Sequence, residues 1–448
     1  MKTGLTSHRL GARDEYKTED DKITMNKRHI CGVILALLAG SAHADDINGD
    51  GVTLYGILDV AVGTVEHSAN GTSQGGITVN PEKVPTAYPH SVTGMFNGGI
   101  SDPRWGIRGN ENLGGGLHAF FDLESGFNLP SGQINNGAAA IAGANNTTSG
   151  ASALDGQLFD RGAFVGLRDD TYGSLAFGRT TTLGYDTLLS YDPLSFAAMF
   201  SPLGYSGSYS AGGITEGSRT DNNLKYTNKI GDFKIGLSYS FGGVAGNFGD
   251  GSTFGADLGY EAHQLAVDAG YYYARDIAHS GALVGVNPVG SPLIGNNVGT
   301  VTLNNDEDLY LLAKYSFGAL TVKGGYERYE LKPPTDPAAA GATTDYYGFQ
   351  GSLVNTVNAS KTNLYFFGGD YKITPQLDIA TGFYDTQLMQ SAHVAGGNQL
   401  EYSVLLDYNI SKRTDVYAGY MFSKFNGSEF AGYEPTNYVA AAGIRTFF

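Results

Sequence analysis

The stretch Asn437–Phe448, NYVAAAGIRTFF, ends the chain on two phenylalanines. Taken every second residue, it sets Tyr438, Ala440, Ala442, Ile444, Thr446 and Phe448 on one face and Val439, Ala441, Gly443, Arg445 and Phe447 on the other. The first face carries no charge, and the one charge, Arg445, stands on the second. Alternation of period two marks a β-strand, here with one largely apolar side. Chain ends fray into water unless something ties them down. Taken alone, these residues fit the last strand of a soluble sheet as well as a strand that closes a barrel.

Working outward, the same pattern recurs along the chain. VTLYGILDVAVGTVE (52–66), RWGIRGNE (104–111), LHAFFDLESGF (117–127) and FDRGAFVGL (159–167) are the first of about sixteen alternating segments. The connections between them alternate in length. One set is short, and the other covers roughly 67–100, 129–158, 180–219, 243–252, 274–306, 330–361, 387–398 and 425–436. Structureless connections of that length count against a soluble domain. An even number of strands with short turns on one side and long loops on the other is the pattern of an outer-membrane barrel.

The faces agree. Leu117, Ala119, Phe121 and Leu123 oppose His118, Phe120, Asp122 and Glu124; Leu309, Leu311, Ala313, Tyr315 and Phe317 oppose Lys314; Leu320, Val322 and Tyr326 oppose Lys323 and Glu327. Aromatic residues expected at strand ends are Tyr55, Phe127, Tyr239, Phe241, Tyr271, Tyr326, Tyr365, Tyr371, Tyr408 and Tyr420. In lipid every backbone N–H and C=O must be paired, and among sheets only a closed barrel does this. The fold expected is all-β, a transmembrane antiparallel barrel of about sixteen strands with short periplasmic turns and long extracellular loops. The last strand is expected to pair with the first.

Glycine makes up 65 of 448 residues, about twice the usual share, and only 16% are charged. Met25 opens MNKRHICGVILALLAGSAHA, with a basic start, an apolar run and a small-x-small site at Ala42–Ala44. This reads as an export leader over 25–44, cut between Ala44 and Asp45, with a polar extension of unassigned role at 1–24 and one barrel domain over 45–448. Cys31, the only cysteine, lies in the leader, so disulfide and thiol chemistry are excluded from the mature chain. Residues 1–44 hold seven basic and five acidic side chains; removing them leaves 21 against 39 and a net charge of −18. So acidic a chain is a poor partner for nucleic acid and for anionic lipid surfaces.

Enzymatic and metal chemistry find little purchase. DINGDG, from Asp46 to Gly51, has the start of a calcium loop, but position twelve, where a bidentate carboxylate belongs, is Ile57. The nine histidines form no metal motif, and no cofactor is expected. The Asp122/Glu124 pair shares one face, which suits a polar pore lining better than a hydrolase dyad.

GVTLYGILDVAVG, DPRWGIRGNENLGGGLHAFFDLESGFN, FDRGAFVGLRDDTYGSLAFGRTTTLGYD, DNNLKYTN and the terminal AAGIRTFF resemble the general diffusion porins of Gram-negative bacteria, the β-proteobacterial trimeric type above all. The resemblance implies sixteen strands, a homotrimer in outer-membrane lipid and lipopolysaccharide, and a third loop folded into the pore. It also implies that Phe448 is read by the outer-membrane assembly machinery. In that family wall arginines face loop carboxylates across a constriction. The matching positions are Arg104 and Arg161, with Arg219 and Arg108, against Asp186 and Asp192. Asp59, Asp122, Glu124, Lys314 and Lys323 are expected to line the pore. Ile57 stands where some relatives have a lysine, and Phe196 where some have a second loop acid. Opposed charges across a narrow aqueous gap bias ion passage. The implied function is passive diffusion of ions and small hydrophilic solutes. The alternatives are a channel selective for an organic acid or sugar, and an enzyme or adhesin on a barrel scaffold.

Overall fold

The computed structural model describes residues 50–66, 91–134, 147–148, 158–204, 219–243, 246–284, 298–336, 351–353, 360–389, 396–428 and 435–448. The expected extension 1–24, the leader 25–44 and the cleavage point Ala44/Asp45 lie outside the described residues.

The chain forms a closed antiparallel barrel of sixteen strands. They are β1 Gly51–Val65, β2 Arg104–Gly114, β3 Leu117–Asn128, β4 Gly162–Asp169, β5 Gly173–Thr181, β6 Arg219–Ile230, β7 Phe233–Ser240 and β8 Thr253–Ala262. Then follow β9 Leu265–Val284, β10 Val298–Phe317, β11 Leu320–Lys332, β12 Ser360–Lys372, β13 Leu377–Leu388, β14 Gly397–Asn409, β15 Thr414–Gly427 and β16 Thr436–Phe447. The ring closes where β16 pairs with β1, in register from Ile57 opposite Phe447 to Val65 opposite Val439. Phe448 completes the seam: its backbone N–H and C=O exchange hydrogen bonds with Gly56 at 3.1 and 3.0 Å. The terminal strand is thus held by backbone pairing along its length, which meets the demand that lipid places on every peptide group.

Short turns need residues that tolerate left-handed backbone. Gly318 has φ +68° between β10 and β11, and His263 takes φ +56° between β8 and β9. Outward side chains such as Val165, Leu311, Phe367 and Val404 are exposed, in alternation with buried inward ones. Such a surface is stable only against an apolar solvent, so the sheet wears its apolar face outward.

The apolar cluster of this protein lies inside the barrel. Thr182 to Gly204, the third loop, runs inward and begins with the helix α1, Leu183–Tyr191. Leu188, Tyr191, Leu194, Met199 and Phe200 pack with inward residues of the wall, among them Tyr310, Leu312, Leu364, Phe366, Tyr384 and Met421. Inward glycines make the seat. A Cβ on Gly236 would lie 2.7 Å from Leu183, on Gly368 2.8 Å from Pro193, on Gly382 2.5 Å from Leu194 and on Gly419 2.7 Å from Phe200. Part of the glycine excess therefore serves close approach of loop to wall.

Two features depart from the sequence reading. The helix is absent from it, because nine residues give too few turns to show a period; its one local signal is Thr182, whose Oγ1 accepts from Tyr185 N at 3.1 Å as an N-cap. Tyr55, expected in the aromatic belt, instead points inward and is 3% exposed. It shares its face with Ile57 and Asp59.

Candidate pore constriction

The third loop is fastened by charged and phenolic groups on the wall. Asp192, at the C-cap of α1, accepts from Tyr384 Oη at 2.5 Å and from Phe196 N at 2.6 Å. Lys323 donates to Asp192 O at 3.2 Å and to Ser195 Oγ at 3.3 Å, and its Nζ lies 3.3 Å from Asp370. Tyr191 Oη donates to Asp268, which also faces Lys234 Nζ at 3.0 Å. Farther along, Met199 N donates to Gly99 O at 2.9 Å.

Gly99 belongs to a second inward excursion. The short strand Val92–Asn97 pairs with Val60–Val65 of β1, while β2 pairs with Gly51–Ile57. Between them residues 98–103 leave the sheet. Asp59 clamps them: its carboxylate accepts from Gly99 N at 3.1 Å, Ile100 N at 3.1 Å and Ser101 N at 2.7 Å, and from Tyr417 Oη.

The arginines stand on the stretch of wall formed by β2 to β6. Glu124 is their hub. Arg161 Nε reaches its Oε1 at 2.7 Å, Arg104 Nε lies 3.8 Å from its Oε2, and Tyr55 Oη donates to the same Oε2 at 3.0 Å. Tyr55 also donates to Asp122 Oδ1 at 2.8 Å, and the Arg108 guanidinium lies 4.8 Å from the Tyr55 ring centre. Arg161 Nη1 meets Asp102 at 3.2 Å. Arg219 Nε donates to the Arg161 carbonyl at 2.7 Å, and its guanidinium sits 5.4 Å from the ring centre of Tyr185 on α1. Beside them Arg179 pairs with Asp221 at 2.6 Å.

The structure thus brings Arg104, Arg108, Arg161 and Arg219 together around Asp122 and Glu124, with Asp102 added. Asp160 also faces Arg161 and Arg219, so four guanidiniums meet four carboxylates there. Asp186, on the first turn of α1, pairs with Lys225. Lys314 lies 5.0 Å from the ring centre of Tyr191. Three expectations need correction. Asp192 is wholly buried and bonded to Tyr384, so it anchors the loop and does not face the arginines across water. Asp59 is wholly buried as well, because three backbone N–H groups claim its carboxylate. Lys323 is 9% exposed and holds the loop.

Sequence reading missed Tyr55, Asp102, Tyr185 and Tyr384 as members of this region. Only Tyr55 carried a signal, its place on the inward face. Asp50, first read within a calcium-like motif, accepts from Asn112 N at 2.6 Å across the β1–β2 pair.

A closed sheet with an apolar exterior and a lumen lined by guanidiniums and carboxylates defines a membrane channel for hydrophilic solutes. The family model described as Gram-negative porin matches residues 32–428, and the chain belongs to that family. It is a protein of the Gram-negative outer membrane. An outer membrane porin of Bordetella pertussis is 36% identical over 220 residues, 48% of this chain and 48% of that protein, so this match spans about half the relative's length. Outer membrane porin protein 32 of Delftia acidovorans is 26% identical over 420 residues, 92% of this chain and 94% of the relative. Among solved structures, the anion-selective porin from Comamonas acidovorans superposes with a TM-score of 0.59 at 21% identity, covering 89% of this chain and 100% of that one. This last likeness is one of fold.

Proposed function

We propose that this protein is a passive diffusion channel for small hydrophilic solutes and that its constriction favours anions. The observation that carries the reading is the gathering of four guanidiniums, Arg104, Arg108, Arg161 and Arg219, on one stretch of the wall around Glu124 and Asp122. Arg104 and Arg161 are themselves buried, 6% and 7% exposed, so they act on a passing ion through their charge and not by replacing its water. The Comamonas porin is described as anion-selective, in keeping with the same direction. No bond is made or broken in passage, and no cofactor takes part.

The remaining family implications complete the proposal. The working unit is a homotrimer in lipopolysaccharide-containing membrane, the mature chain begins at Asp45, and Phe448 is engaged by the assembly machinery. Light scattering in detergent and mass spectrometry of the purified protein test the first two.

The decisive experiment is single-channel recording in planar bilayers with asymmetric potassium chloride. The expected reversal potential has the sign of anion preference, and it moves towards cations in Arg104→Ser/Arg161→Ser. A cation-selective parent channel would overturn the anion reading. Saturable block of the current by one solute class would replace it with a substrate-selective channel.

A further inference from the structure

Two phenylalanine rings stand on the water-facing side of the barrel, where an apolar side chain has no lipid to meet. Phe120 of β3 is in phase with His118, Asp122 and Glu124. Phe164 of β4 is in phase with Gly162 and Gly166 and out of phase with the exposed Val165 and Leu167. The ring centres lie 6.2 Å apart and the planes meet at 74°, an edge-to-face pair. Inward glycines let the rings lie down on the wall: a Cβ on Gly166 would come within 2.5 Å of the Phe120 ring, and one on Gly162 within 3.6 Å of the Phe164 ring. Both side chains stay partly exposed, and neither belongs to the apolar cluster that seats the third loop. The passage of inorganic ions gives such a pair nothing to do.

Arg108 stands beside it. Asp122 lies opposite Arg108 on one neighbouring strand and opposite Phe164 on the other, while Phe120 lies opposite Asn110, two residues along β2 from Arg108. Arg108 and Phe120 are therefore diagonal neighbours on one face, about 7–8 Å apart, a gap that long and aromatic side chains span. The rings sit on the side of Glu124 that leads to the β2–β3 turn, so a solute that meets the arginines meets the rings within two inward rungs.

Of the four gathered arginines, Arg104, Arg161 and Arg219 each have an ion pair or hydrogen bond to the protein. Arg108 has neither among the described residues. Its guanidinium lies over the Tyr55 ring, and the carboxylate opposite it, Asp122, accepts from Tyr55 Oη. The Arg108 side chain is partly exposed to the bore. A planar fork of donors thus stands next to an aromatic surface, both within reach of one small solute.

We infer that Arg108, Phe120 and Phe164 form a subsite for small aromatic carboxylates in passage. The carboxylate takes the Arg108 fork by charge-assisted hydrogen bonds, and the ring rests against the phenylalanine pair edge-to-face or offset. A chloride ion uses the first contact alone, and an aliphatic carboxylate finds no matching quadrupole in the second. The inference rests on the reading of the bore as an anion-favouring diffusion channel and names a class of solute for it.

The test is a bi-ionic reversal potential in planar bilayers containing the purified protein, with potassium chloride on one side and potassium benzoate or potassium cyclohexanecarboxylate on the other. The pH is mildly alkaline, so that both carboxylates are ionised; they share charge and carbon count and differ in the ring. Relative to chloride, benzoate is expected to permeate at least twofold better than cyclohexanecarboxylate. Phe120→Leu/Phe164→Leu, which keeps apolar bulk without the rings, is expected to make the two equal and to leave the reversal potential in a potassium chloride gradient unchanged. Arg108→Lys, which keeps the charge and removes the fork, is expected to lower both carboxylates against chloride. Equal permeability of the two in the parent would overturn the subsite, as would a benzoate preference that survives the double substitution. If the double variant does not fold, Phe120→Leu alone is expected to lower the preference, and an unchanged preference counts against the subsite. The potassium chloride gradient keeps the two proposals apart: an anion sign there with equal carboxylate permeabilities defeats the subsite alone, whereas a cation sign defeats the reading beneath it.

Discussion

Tyr384 Oη donates a 2.5 Å hydrogen bond to Asp192 Oδ1, joining residues 192 positions apart in the chain. The bond fixes the end of α1 to β13, and through it the third loop keeps its place inside the barrel. The lumen is therefore shaped by buried contacts at the loop's back, while the arginines occupy another part of the wall.

Tyr384→Phe removes a donor from a buried carboxylate, a loss of about 1.5–3 kcal/mol. The expected result is greater open-channel noise and a lower temperature for the heat-induced mobility shift in detergent electrophoresis. Unaltered noise would mean that the apolar contacts alone hold the loop.

Burial pushes the Asp192 carboxyl above the usual carboxylate range, with the Tyr384 hydroxyl and the Phe196 N–H pulling it part of the way back. A raised acid holds more protons in the seated loop than in a released one. Its contribution is thus complete at low pH and shrinks as pH rises from the ordinary carboxylate range through the raised value. Acidification should quieten the channel, and Asp192→Asn, which keeps a hydrogen-bonding amide there, should remove the pH dependence. Noise that grows on acidification would contradict this sign.

Glu124→Gln removes the negative charge that Arg104 and Arg161 share. A unit charge about 4 Å away contributes about 1 kcal/mol even in water, so the ratio of anion to cation permeability should rise several-fold. Reversal potentials in asymmetric salt measure it. A shift towards cations would show that the arginines do not govern passage.

Asp59→Ala leaves the N–H groups of Gly99, Ile100 and Ser101 and the Tyr417 hydroxyl without their acceptor. Each buried group left unpaired costs about 1–3 kcal/mol. Refolding yield in detergent should fall sharply, although Asp59 touches no passing solute.

Gly56→Val tests the seam. A Cβ at Gly56 would lie 2.3 Å from the Phe448 ring and 2.7 Å from the Arg104 carbonyl oxygen. The ring can turn away but the backbone cannot, so closure of the barrel should be impaired. Heat-modifiable, protease-resistant barrel in normal amount would refute this.

The period-two patterns of residues such as Leu309 to Phe317 determined the strands, their faces and their approximate number, because alternation is written locally and lipid enforces it on every rung. Loop lengths determined which barrel end is which. Arg104 and Arg108 share an inward face by the same alternation, whereas Arg161, in phase with the outward Val165 and Leu167, and Arg219 are reached only through the family resemblance. What each inward charge touches was decided by the tertiary structure alone. Asp59 and Asp192 look like any lumen carboxylate in the sequence, yet both are buried by segments that arrive from far along the chain, at Gly99–Ser101 and at Tyr384. Tyr185 faces Arg219 only because α1 is seated on glycines of distant strands. A strand's face is a property of neighbours two residues apart, whereas a side chain's partner across a folded-in loop depends on where the whole ring places its wall.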